Sequence, residues 1–264
     1  MPKVVCIVQA RTGSTRLPGK VLREVRGKTL LEHLVDRLKA GKSIDRIVLA
    51  TTVKASDDAI VEVAKQTGVG WFRGSEDDVL SRYVGAAQAY EAEVVIRVTS
   101  DCPLIDPGVI DRVVDLYFRS GVDYASNTIE RTYPRGLDVE VFSMQALLRA
   151  EALSSKLPSG QISERSLEQL PGHSTAHPYR EHVTLYMYRH PEKFSLANLA
   201  AEGELHWPEV RLCVDTPEDF LLIETIYREL YQEGEIINIT DVIGLLKSQP
   251  ELLQINAHVE QRQV

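Results

Sequence analysis

The chain has 264 residues, 44% of them hydrophobic and 26% charged, with a formal net charge of -8. A chain of this length buries enough surface to fold without a disulfide or metal staple. Its acidic balance shows no basic patch or surplus of the kind that nucleic-acid backbones demand, so nucleic acid is not an expected partner.

In chain order, Val4 to Val8 reads as a buried strand, and the run is far too short for a signal sequence or a membrane span. Leucines and Val35 at helical spacing predict a helix over Leu30 to Leu38. Ile47 to Thr51 reads as a second strand. Ser56 has the character of an N-cap for a helix over Asp57 to Gln66. A third strand is read at Val69 to Phe72, an amphipathic helix over Asp78 to Tyr90, and a further strand at Val94 to Val98. Pro107 opens a helix that runs to about Arg119. Tyr124 to Gly136 reads as a loop, Leu137 to Phe142 as a strand and Ser143 to Leu153 as a helix. Ser154 to Pro178 is rich in Ser, Gly, Pro and His, a composition of lids and interface arms. Val210 to Val214 reads as the last strand, followed by a helix from Asp215 to Tyr231. Strands alternating with helices predict an α/β fold, with a mostly parallel twisted sheet covered on both faces.

Cys6, Cys102 and Cys213 are odd in number, scattered, and form no Cys-x-x-Cys pair. They read as small buried hydrophobes in a reducing compartment, so a soluble, cytoplasmic protein is expected, without a membrane partner.

The segment Ala10-Arg-Thr-Gly-Ser-Thr-Arg-Leu-Pro-Gly-Lys20 follows the first strand and concentrates three cations, Arg11, Arg16 and Lys20, in one turn. Gly13 and Gly19 free the backbone, and Thr12, Ser14 and Thr15 keep its amides approachable, so the loop is a candidate polyphosphate cradle. It is not a Walker loop, because five residues separate its glycines and Val21 follows Lys20. Nor is it a dinucleotide fingerprint, since Gly13 lacks a glycine partner at the required spacing. A solvated loop that happens to carry three cations is the plain alternative.

This segment resembles the signature of the cytidylyltransferases that activate acidic sugars, the CMP-Kdo and CMP-acylneuraminate synthetases, and in particular their relatives in spore-coat and surface polysaccharide synthesis. Two further segments share the resemblance: Asp101-Cys-Pro-Leu104, and Val214-Asp-Thr-Pro-Glu-Asp219 near the C-terminus. The resemblance implies a three-layer α/β/α Rossmann-like nucleotide-diphospho-sugar transferase fold. It would form one domain over residues 1–264, with acceptor binding and dimerisation in the less regular region 124–190.

Asp101 follows the strand Val94 to Val98, where open α/β sheets bind ligands. Alone, Asp101 can be a turn residue before Pro103 and Asp215 a helix N-cap. As a pair of strand-terminal carboxylates they suit Mg²⁺, which takes one or two protein oxygens and completes its shell with phosphate and water. The resemblance assigns the metal to these two acids and to no others.

The activity so implied is transfer of CMP from CTP to an acceptor hydroxyl of an acidic sugar, with release of pyrophosphate. Arg11, Lys20 and Asp101 are the candidate catalytic residues. Ala10, Arg11, Ser14, Arg16, Lys20, Arg73, Thr99 and Arg135 are candidates for substrate binding. Thr99 departs from the glutamine of Kdo-type enzymes. Arg73 to Tyr83 resembles a segment of the polysaccharide-linked branch, while Arg82 fits an exposed helix face equally well. Arg131 and Arg135 have the chemistry to hold a carboxylate or phosphate of the acceptor, though exposed loop charge is the simpler reading. His173, His177 and His182 lack zinc-ligand spacing. A homodimer is expected. Two other functions fit the same residues, transfer from another nucleotide or to a non-sugar acceptor, and nucleotide binding without catalysis.

Overall fold

A computed structural model describes residues 2–156 and 178–261. Strand β1 (Val4–Gln9) is buried along almost its whole length, and its side chains divide strictly by parity. Val4, Cys6 and Val8 enter one apolar cluster, while Val5 and Ile7 enter another on the opposite face. That alternation makes β1 the middle of a sandwich, since a pleated strand sends successive side chains to opposite sides.

β1 pairs in parallel with β4 (Arg46–Thr52) on one side and β6 (Val94–Thr99) on the other, and β4 pairs in parallel with β5 (Gly70–Gly74). Beyond β6 the direction reverses. β8 (Glu140–Ser143) runs antiparallel to β6 and to β7 (Tyr124–Ser126), and β9 (Leu196–Asn198) pairs in parallel with β7. The sheet order is β5-β4-β1-β6-β8-β7-β9, and a separate two-stranded hairpin joins β2 (Glu24–Val25) to β3 (Lys28–Thr29).

One face is covered by α1 (Leu30–Lys39), α2 (Asp58–Thr67), α4 (Pro107–Ser120), α8 (Pro217–Leu230) and α9 (Ile239–Ser248). The other carries α3 (Val79–Ala89), α5 (Met144–Ser154), and the short α6 (Pro178–Glu181) and α7 (Leu185–Arg189). The fold is therefore the expected α/β/α arrangement with a mostly parallel centre. No helix among the described residues is long and apolar enough to cross a membrane.

Helix starts follow their caps. Thr29 and Glu32 form a capping box on α1, Asp106 caps α4 ahead of Pro107, and Thr216 with Asp219 boxes α8 ahead of Pro217.

Several sequence readings need correction. Ser56 does not cap α2: a 3-10 turn over Ala55–Asp57 leads into the helix, whose N-cap position is Asp57 without a capping bond. Tyr124 to Gly136 begins with strand β7 rather than loop, because β8 and β9 offer it partners on both sides. The strand read at Leu137 starts only at Glu140, the Leu137 carbonyl instead accepting from the Asn127 side chain.

Val210 to Val214 is not a strand either. It makes one isolated bridge, Arg135 to Arg211, and its remaining backbone bonds go to loops, including Val214 N–H to the Asp101 carbonyl at 2.8 Å. His173 and His177 lie outside the described residues.

Candidate active site

β1 sends its crossover to β4 on one side, whereas the chain returns through β6 on the other. The crevice at such a switch point opens above the C-terminal ends of the two strands. The loop after β1 and the turn after β6 border it, which is why Lys20 and Asp101, 81 residues apart in sequence, meet there.

The loop is shaped by its own backbone. Thr12 carbonyl accepts from both Ser14 N–H and Gly19 N–H at 2.9 Å, and Gly19 takes a left-handed φ of 67° that starts the turn over Lys20–Leu22. Asp57 ties this loop to the rest of the sheet edge. Its Oδ1 accepts from the Thr12 N–H at 2.8 Å and the Thr12 hydroxyl at 2.6 Å, and its Oδ2 accepts from the Thr52 hydroxyl. Those bonds outweigh the effect of burial and hold the Asp57 carboxyl below its usual range. They also explain why Asp57 leaves α2 uncapped.

Lys20 is the centre of the site. Its ammonium donates to the Val214 carbonyl at 2.7 Å and to Asp215 Oδ1 at 2.8 Å, and lies 3.4 Å from Asp101 Oδ2. Burial alone lowers a lysine pKa, but Asp101 and Asp215 more than compensate and raise it. Asp215 is shared further: Arg16 reaches its Oδ2 at 3.0 Å and Arg211 reaches the same oxygen at 2.7 Å. Burial raises the Asp215 pKa, yet Lys20, Arg16 and Arg211 hold it well below the usual carboxylate range.

A second layer fixes these groups. Arg211 also grips Asp219, from Nε to Oδ1 at 2.8 Å and from its terminal nitrogen to Oδ2 at 3.0 Å. Asp219 Oδ2 receives the backbone N–H groups of Asp215 and Thr216, at 3.0 and 3.1 Å. Asn256 clamps this pair from the C-terminal segment, donating to Asp219 Oδ1 at 2.9 Å and to the Arg211 carbonyl at 3.1 Å. Gly136, at φ 98°, lets the chain pass so close that an added Cβ would stand 2.7 Å from the Leu212 carbonyl carbon.

The other sequence candidates are distributed around this centre. Ala10 is buried, its N–H bonded to the Ala50 carbonyl at 3.1 Å. Ser14 Oγ accepts weakly from Leu17 N–H at 3.4 Å. Arg11 is exposed and lies 3.5 Å from Glu76, away from the two aspartates. Arg73 braces the 52–58 turn through the Thr52 and Lys54 carbonyls and Asp58. Thr99 ends β6 with its hydroxyl 3.3 Å from the Cys102 sulfur. Arg131 is chelated by Asp138, at 2.7 and 2.9 Å, so its charge is satisfied within the chain. Arg82 is buried rather than exposed, and bonds the Ser75 carbonyl. Arg135 stands apart from the Lys20 cluster and lines a neighbouring cleft.

Asp57, Arg211, Asp219 and Asn256 escaped the sequence reading. Two signals were there: Arg211 stands four residues before Asp215 in a segment read as a strand, and Asp219 closes the Val214 to Asp219 segment, where only Asp215 was given a role.

A family model described as cytidylyltransferase matches residues 5–242 of this chain. The chain belongs to the cytidylyltransferase family. Among its relatives, an uncharacterized protein of Methanocaldococcus jannaschii is 37% identical over 98% of this chain and 97% of its own length. The spore coat polysaccharide biosynthesis protein SpsF of Bacillus subtilis is 33% identical over 95% and 97%. A solved cytidylyltransferase structure from Leptospira borgpetersenii superimposes with a TM-score of 0.82 at 31% identity, covering 96% of this chain and 98% of that one. In this cytidylyltransferase all three resembling segments converge on Lys20: the loop after β1, the turn after β6 and the start of α8.

Proposed function

We propose that this cytidylyltransferase transfers CMP from CTP to a hydroxyl of an acidic sugar, releasing pyrophosphate, in the synthesis of a surface polysaccharide. The observation that carries the reading is the single ammonium of Lys20 held between Asp101 and Asp215. It brings one cation and two hard carboxylates to one point of the crevice.

The donor set fits Mg²⁺. No group of three or more ligating side chains occurs among the described residues, and Mg²⁺ characteristically needs only one or two carboxylates beside phosphate and water. Asp101 and Asp215 would hold the ion, which when bound neutralises phosphate oxygens and acidifies the attacking hydroxyl.

The chain's own groups do the rest. Lys20, released from the carboxylates, places its charge on the triphosphate, with Arg16 and the exposed Arg11 beside it. Charge placed where the leaving pyrophosphate develops it is the main source of acceleration in phosphoryl and nucleotidyl transfer. Asp57 keeps the 10–16 loop rigid along the phosphate path. The Ala10, Thr12 and Ser14 amides are engaged by the Ala50 carbonyl, Asp57 and the Thr12 carbonyl, so the loop meets the phosphates with its cations and hydroxyls rather than with those N–H groups. Thr99 borders the crevice from β6 and Arg73 supports its nucleotide side. Arg211 aligns Asp215, and Asp219 with Asn256 aligns Arg211. The polysaccharide assignment draws on the printed name of the Bacillus relative.

The test is pyrophosphate release on mixing the protein, CTP, Mg²⁺ and a set of sugar acids, with Asp101→Asn and Asp215→Asn alongside. Release by the parent protein and loss of at least about a hundredfold in either variant is expected. Full activity of both variants refutes the metal assignment, and a preference for another nucleotide refutes the cytidylyl assignment.

A further inference from the structure

A cleft of about 340 Å³ lies beside the Lys20 site, between the 207–211 segment and the C-terminal segment. Arg135, Trp207, Val210, Arg211, Leu253 and Val259 are among its walls. We propose that this cleft is the acceptor pocket, built to take a monosaccharide that carries a carboxylate or phosphate on Arg135. The proposal rests on the cytidylyltransferase reading above, and it adds the place and the chemistry of the second substrate.

Arg135 is the anchor. Its backbone is pinned on both sides, N–H to the Val210 carbonyl at 2.9 Å and carbonyl to the Leu212 N–H at 2.8 Å. Its guanidinium, half-buried, has no ion pair or hydrogen bond among the described residues. Burial lowers its pKa, Arg131 lowers it further, and Asp138 offsets this only in part. A half-buried cation of this kind gains from any anion that reaches it, and guanidinium geometry matches carboxylate and phosphate oxygens in pairs.

The other cleft arginine is not available. Arg211 spends its donors on Asp215, Asp219 and Gln261. It serves instead as the partition between the cleft and the reacting centre, so a molecule on Arg135 sits one side chain away from Asp215. Trp207 presents a half-buried ring, apolar on its face and polar at its N–H, suited to the mixed surface of a sugar. Exposed Glu209 at the rim can accept hydroxyl protons of a polyol. The volume lies at the small end of ligand pockets, which fits one sugar rather than a nucleotide.

The outer wall comes from residues 253–261, beyond the 5–242 span of the family model. Asn256 fastens that wall to Arg211 and Asp219. The cleft thus joins an anchor inside the family span, Arg135, to a wall supplied from beyond it.

The chain has two tryptophans, and the other, Trp71, lies on edge strand β5. A Trp71→Phe variant therefore leaves Trp207 as a fluorescent reporter inside the cleft. This variant is titrated with glucuronate, glucose 6-phosphate, inorganic phosphate and glucose, and CTP-induced thermal stabilisation is recorded in parallel. Expected is a saturable change in Trp207 emission with glucuronate or glucose 6-phosphate, weakened at least tenfold by a second substitution Arg135→Gln and less by Arg135→Lys, with no response to glucose. The stronger of the two sugars tells a carboxylate acceptor from a phosphate one. Absence of a saturable response to both anionic sugars, an equal response to inorganic phosphate alone, or an unchanged response in Arg135→Gln overturns the proposal. Loss of CTP stabilisation with the sugar response intact instead removes the nucleotide reading and leaves the cleft an anionic-sugar site.

Discussion

The ammonium of Lys20 lies 2.8 Å from Asp215 Oδ1, joining a loop at the start of the chain to a helix entrance 195 residues later. It also stands 3.4 Å from Asp101 Oδ2, so one cation bridges both acids. Any second cation that uses the same two carboxylates has to displace it. Lys20→Met should therefore change two quantities in opposite directions. Turnover with CTP falls by roughly 10²–10³, the effect of removing one charge-stabilising donor. Binding of Mn²⁺ to the nucleotide-free protein, followed by electron paramagnetic resonance, tightens at least tenfold. Equal or weaker Mn²⁺ binding means that lysine and metal do not share a site.

Asp215 and Asp219 both have carboxyl pKa values depressed in the folded chain; burial opposes the shift in each, and Lys20 and Arg211 are the respective leading pairs that outweigh it. A depressed carboxyl favours the folded state above its unfolded pKa of about 4, and that stability is lost as pH falls through the folded value. Melting temperature should thus be flat from pH 7 to 5 and drop steeply below pH 4. Asp219→Asn should melt lower than the parent at pH 6, with the gap closing toward pH 2. A gap independent of pH would show that Asp219 acts through shape rather than charge.

Much of this was legible in the sequence: the runs over Val4 to Val8, Ile47 to Thr51 and Val94 to Val98 are β1, β4 and β6, and Pro107 and Ser143 stand at the starts of α4 and α5, though the capping of α1 by Thr29 and of α4 by Asp106 went unread. Asp101 was placed by the strand before it. Asp215 was placed by resemblance, but its supposed strand was wrong: Val210 to Val214 has strand composition yet spends its backbone bonds on Arg135 and Asp101. Tertiary pairing of that kind leaves no periodic trace. Asp57 was hidden for the opposite reason. With Ser56 read as the cap, Asp57 passed for an ordinary first-turn helical acid, and only the fold reveals that Thr12 and Thr52 have claimed its carboxylate.

That claim is open to test. Asp57→Ala removes the acceptor of the Thr12 N–H and of the buried Thr52 hydroxyl, and leaves the Thr12 hydroxyl only its longer bond to the Ser56 carbonyl at 3.3 Å. Leaving such groups unpaired costs about 1–3 kcal/mol, which urea unfolding will register. Because Thr12 organises the loop through its carbonyl bonds to Ser14 and Gly19, the Michaelis constant for CTP should rise several-fold while kcat changes less. A pure stability loss with an unchanged constant for CTP assigns Asp57 to the scaffold alone.

Gly136 offers the sharpest geometric test. At φ 98° a side chain is already strained, and an added Cβ would meet the Leu212 carbonyl carbon at 2.7 Å and the Cys213 nitrogen at 2.8 Å. Both are backbone atoms that cannot turn aside. Gly136→Ala must push residues 211–213 outward, and with them the Val214 N–H that binds the Asp101 carbonyl at 2.8 Å. Stability should fall by about 2 kcal/mol or more, and kcat should fall further than that loss explains, since Asp215 drifts from Asp101. Gly121→Ala is the matched control. Its glycine is also left-handed, at φ 64°, but closes α4 with nothing within 4 Å of the added atom. It should cost about 1 kcal/mol and leave turnover alone. Comparable losses of turnover in the two variants would mean that backbone strain, and not the close pass beside Leu212, sets the register of the two aspartates.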